Sequence, residues 1–165
     1  MKKFDIGQTI QIIANIGVIA GIFFVGFELQ QNTVAVKSEA SNGIQENNVA
    51  IYEVLLSDPM MDIYQRGMVN PADLTVSETG KFHAFWTAAL LAYQNLYFQV
   101  LEGAYDGQRV EGWWQHLRSQ FEYPGFSEHW TSRSYILSAE FRDFVETDVM
   151  SREPTTELLV LPRRE

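Results

Sequence analysis

The chain has no cysteine among its 165 residues, which excludes a disulfide framework, a thiolate nucleophile and a Cys-type zinc site. Cations are scarce as well. Twelve Lys and Arg lie scattered against 21 Asp and Glu, for a net charge of -9, and phosphate binding needs clustered basic residues, so no nucleic acid partner is expected. No G-x-S-x-G, P-loop or dinucleotide glycine fingerprint occurs. The three histidines, His83, His116 and His129, fall on three different predicted helices without an H-E-x-x-H or E-x-x-H pair. No catalytic group, cofactor or metal site is therefore assigned. Strand-period alternation is missing except in the last few residues, and there is no internal repeat or low-complexity tract.

What is present is a long apolar run over residues 10–27, without charge and with only Gln11 and Asn15 strongly polar. At ~1.5 Å per residue it spans roughly 27 Å, close to the thickness of a bilayer core, and it reads as one transmembrane helix. It is longer than the ~7–15-residue apolar region of a cleavable signal peptide. Within it Ala14, Gly17 and Gly21 gather on one face, with Gly17-x-x-x-Gly21 at the spacing that lets helix backbones approach closely. Glu28 follows Gly21 by seven residues on that same face. The expected partners are the lipid bilayer and other transmembrane helices, from a second copy or a partner subunit. Lys2 and Lys3 precede the run and Lys37 alone follows it closely, a balance that favours a cytoplasmic N-terminus and an extracytoplasmic domain at the inner membrane.

The rest reads as helix after helix. No Gly or Pro interrupts the chain from Phe27 to Asn42, so the first helix is expected to run on through Gln30-Gln31-Asn32-Thr33 into the domain. Ser57-Asp58-Pro59 ends it, and Asp58 is a candidate N-cap for a short helix from Pro59 to Met68. Thr75-x-x-Glu78 has capping-box form. It opens the longest periodic stretch, in which Phe82, Trp86, Ala89, Tyr93, Leu96 and Val100 form a core stripe. Further helices are expected after Asp106, carrying Trp113, Trp114 and Leu117, then over residues 126–133 and 138–150. The fold class is all-α, an N-terminal transmembrane helix continuing into an antiparallel helical bundle. The expected divisions are 1–29 anchor, 30–151 bundle and 152–165 a loosely held tail.

Several local motifs occur in order: the apolar helix running into Glu28-Leu29-Gln30-Gln31-Asn32-Thr33, Asp58-Pro59, Leu74-Thr75, Asn95 with Tyr97 and Glu102-Gly103, Trp113-Trp114, Pro124-Gly125 and Phe141-Arg142-x-Phe144. Through them the chain resembles, over nearly its whole length, a family of uncharacterised bacterial membrane-anchored all-helical proteins. The likeness implies an anchored helical domain and no reaction. Relatives often carry Arg around the Gln-Asn-Thr element, which would favour a cytoplasmic domain, whereas here only Lys37 follows it.

Two functions compete on these grounds. The first is an interaction or accessory module in a membrane complex or homo-oligomer, working through Gly17, Gly21, Ala14 and Glu28. The alternative is a ligand-binding sensor or hydrolytic enzyme with a polar pocket around Asn95 and Glu102, which share one arc of the long helix with His83, Thr87 and Gln94, and in which Asn95 or Tyr97 would orient a ligand. A concave pocket lined by those side chains would favour the alternative.

Overall fold

The computed structural model describes residues 6–151, with the side chains of 6–10, 12–14 and 40 left outside that description. The 152–165 tail, Lys2, Lys3 and the side chain of Ala14 lie beyond it. Among the described residues every regular element is helical, so the all-α class holds. The helices are α1 Ile6–Leu56, α2 Asp58–Val69, α3 Val76–Leu101, α4 Glu111–Gln120, α5 Pro124–Arg133 and α6 Ala139–Phe144. The last turn of α6 widens into a π-type turn, Val145–Val149.

α1 is continuous through Gln30, Gln31, Asn32 and Thr33, as the lack of Gly and Pro there predicts. Its segment from Asn15 onward is long and apolar enough to cross a membrane, and the apolar window within it is not buried by protein. Ile16, Ile22, Phe23 and Phe27 are all exposed. The chain divides into two compact units between Ala40 and Ser41, further along α1 than residue 29, where the apolar run gives way to Gln and Asn. The first packing residue of the second unit is Ile44, buried on α1.

Within that second unit, α2 and α3 form an antiparallel pair. Arg66 near the end of α2 meets Glu78 at the start of α3, while Tyr64 stacks edge-on against Phe85 further along. Thr75 and Glu78 make the reciprocal capping box, the backbone N–H of Thr75 donating to Glu78 Oε2 at 2.8 Å. Phe82, Trp86, Ala89, Tyr93 and Leu96 are buried as their spacing predicts, together with Phe85 and Leu90. Full burial of such side chains contributes about 1.5–3 kcal/mol each. α4 returns along α3, placing His116 at Tyr93 and Gln120 at Tyr64. Of the two adjacent tryptophans Trp114 is buried and Trp113 half-buried, since neighbouring helical residues point ~100° apart.

One helix start differs from expectation in its cap. Asp58 is the first residue of α2 and not its cap; Ser57 holds the cap position, and its hydroxyl donates backwards to the Val54 carbonyl at 2.7 Å. Pro124 opens α5, two residues before the expected start at 126, where a missing N–H costs nothing. Asp106 caps a 3-10 turn over Gly107–Arg109, and α4 begins only at Glu111.

Candidate functional site

Alanine makes the main concavity. On α3, Ala84, Ala88 and Ala92 recur at four-residue spacing on a side away from the Phe82 and Trp86 stripe. Their side chains stop at Cβ and leave a trough. Facing it, α1 supplies Asn47, Ala50, Ile51 and Val54, and the start of α2 supplies Pro59, Met60 and Ile63. Phe85 and Leu91 form the remaining walls, with Lys81 and Asn95 at the two ends of the α3 face. The cleft measures about 870 Å³, within the range that small-molecule sites occupy.

The lining holds one ion, Lys81, and no carboxylate. Its only hydroxyl belongs to Ser57, already donating to a backbone carbonyl with no base beside it. That arrangement can bind but has no means of activating a nucleophile.

Polar side chains are collected elsewhere. Tyr93 Oη lies 2.6 Å from His116 Nδ1, Gln120 Nε2 lies 3.3 Å from His116 Nε2, and Tyr64 donates to Gln120 Oε1 at 3.3 Å. This line pins α2, α3 and α4 together. Burial pushes the Tyr93 hydroxyl well above the usual phenol range, so it stays protonated and donates.

A second pair joins α3 to α5: Nδ1 of His83 and Nδ1 of His129 lie 2.8 Å apart, with the rings stacked. His129 is completely buried, and burial first, then the His83 and Arg133 charges, lower its pKa to about 4. Desolvation also lowers His83, aided by Arg133 and opposed by Glu128. Among the described residues no group of three His, Asp or Glu side chains converges, so two of the histidines meet without a carboxylate to complete a metal site.

The residues singled out from the sequence separate in space. Asn95 lines the cleft. Tyr97 turns the other way, its ring 4.7 Å from Phe144 and 5.6 Å from Phe141, and Glu102 is exposed at the C-terminal end of α3. The three therefore do not form one pocket. Gly17 and Gly21 have open space where a Cβ would stand, and Glu28 is exposed. Lys81, Ala84, Ala88 and Ala92 escaped the sequence reading, although an alanine row on the outer face of a long amphipathic helix is a visible sign of a shallow, apolar surface. Compared with family models, with curated proteins and with solved structures, the chain finds no match.

Proposed function

We propose that this is a single-pass, membrane-anchored helical binding module that serves as the interaction or accessory subunit of a membrane assembly. The observation that carries the reading is the apolar part of α1, long enough to span a bilayer and uncovered by any other part of the described chain. A soluble protein would expose that surface to water at a cost of roughly 25 cal/mol for each Å². The ordered motifs by which the chain resembles membrane-anchored helical proteins favour the same placement, as does an apolar cleft without a nucleophile or base in the bundle that follows. The small-residue face at Gly17 and Gly21 supplies a contact for a second transmembrane helix, from this chain or a partner. Its domain lies outside the cytoplasm.

The test is extraction and topology together. The full chain should stay with membranes after alkaline carbonate treatment, and a reporter active only outside the cytoplasm should work when fused after Glu165. Release by carbonate would overturn the anchor, and an active cytoplasmic reporter would reverse the orientation.

A further inference from the structure

We propose that the cleft between α1, α2 and α3 holds one long-chain carboxylate, with its acyl chain along the alanine face of α3 and its head group at Lys81. The proposal rests on the membrane-anchored reading above and adds the chemical class of the ligand.

Length is the first argument. Lys81 and Asn95 bound the trough on α3, and the residues between them cover about 21 Å of helix. A bilayer core of ~30 Å is two acyl chains deep, so the trough accommodates one such chain with its head group. Width is the second. Ala84 and Ala88 form a floor between the larger Phe85, Ile63 and Leu91, and an unbranched chain fills a narrow groove of that kind without needing hydrogen-bond partners. A peptide laid there would bury N–H and C=O groups against alkyl walls.

Charge is the third. In a chain with 21 acidic residues and a net charge of -9, the lining carries no carboxylate and a single ammonium. Among the described residues no acid lies within ion-pair distance of Lys81, whereas Arg66 on the facing helix is matched by both Asp62 and Glu78. The free cation at one end of a trough whose other polar side chains, Asn47, Ser57 and Asn95, are uncharged complements an amphiphile with one negative head. Tethering to a bilayer would keep such amphiphiles at high local concentration.

The experiment uses the full chain in nanodiscs of zwitterionic phosphatidylcholine, irradiated with a diazirine-bearing palmitate. Labelling is expected on peptides covering residues 47–63 and 81–95, to be competed by unlabelled palmitate and not by its methyl ester. Lys81→Glu should weaken labelling about tenfold, since it puts a like charge against the head group. Ala88→Trp should abolish it, and Leu91→Gln, on the exposed rim, should reduce it without endangering the fold, with circular dichroism confirming helix content for each.

Equal competition by the ester would overturn the carboxylate assignment. Cross-links between two copies through the cleft would make a second chain the occupant and overturn the ligand. In a chain inserted into the discs, labelling confined to residues 10–27 defeats the proposal and leaves the anchor standing, whereas cleft labelling of a chain that stays outside the discs defeats the anchor alone.

Discussion

His83 and His129 face each other through their Nδ1 atoms at 2.8 Å, so one of the two nitrogens must carry a proton and the other must be bare. Nε2 of His129 is buried without a partner. An unpaired lone pair there costs less than an unpaired N–H, which assigns the shared proton to His129 Nδ1 as donor and His83 Nδ1 as acceptor.

The pair makes stability depend on pH. Both histidines have folded-state pKa values below the unfolded 6.5, His129 at about 4, so the unfolded chain binds more protons between these limits. Stability from the neutral pair is therefore complete above pH 6.5 and declines as pH falls toward 4. His116 is shifted in the same direction by desolvation and adds to the slope. For the fully buried His129 the total is on the order of 3 kcal/mol. Thermal unfolding at pH 7.5 and pH 5 should show a clear drop in Tm at the lower value, and His129→Phe should flatten the curve. An unchanged slope in that variant would put the titration elsewhere.

α2 and α5 cross at two glycines. A Cβ on Gly125 would overlap the carbonyl oxygen of Gly67 and stand 2.8 Å from its carbon, both backbone atoms that cannot turn aside. On Gly67 the added carbon would meet the Phe82 ring at 2.6 Å and Leu74 at 2.9 Å. Gly125→Ala should thus destabilise by about 3 kcal/mol or more, and Gly67→Ala by about 1–3 kcal/mol. Gly80→Ala and Gly112→Ala, helical positions with nothing nearby, should instead stabilise by about 0.5–1 kcal/mol. Urea midpoints of the four variants check the order.

The start of α3 depends on Thr75 and Glu78. Backbone and hydroxyl hydrogen bonds from Thr75 and the Arg66 guanidinium hold the Glu78 carboxyl down to about 2. A depressed carboxylate stabilises above its unfolded value of 4.5 and loses that contribution as pH falls toward 2. Thr75→Ala should cost about 1 kcal/mol at neutral pH. The loss should shrink in acid, as the unfolded chain's Glu78 takes up a proton below pH 4.5 and the capping carboxylate ceases to favour the fold; equal loss at pH 7 and pH 2.5 would contradict the capping role.

In the apolar part of α1, Gly17→Leu with Gly21→Leu should lower cross-linking between chains, because bulky side chains hold a facing backbone away. Unchanged yields would remove this face as a contact.

Local signals explain what was legible beforehand. The core stripe from Phe82 to Leu96 and the Thr75–Glu78 cap follow from spacing within a few residues. Contacts across long separations do not: His83 meets His129 only because Gly67 and Gly125 let α2 and α5 approach, bringing α5 onto α3. Tyr97 was readable as a candidate for the pocket, but the rings that claim it, Phe141 and Phe144, arrive from a distant helix. The cleft is a gap, and hydropathy records side chains, not the space that alanines leave between helices.

A cysteine-free chain allows the central claim to be tested one position at a time. In intact membranes, opened only enough to expose both faces, a water-soluble maleimide should fail to label Ile19→Cys until detergent is added. It should label Val54→Cys at once, and added palmitate should slow that reaction. Rapid labelling of Ile19→Cys before detergent, with Val54→Cys indifferent to palmitate, would contradict a membrane anchor that leads into a carboxylate-binding cleft.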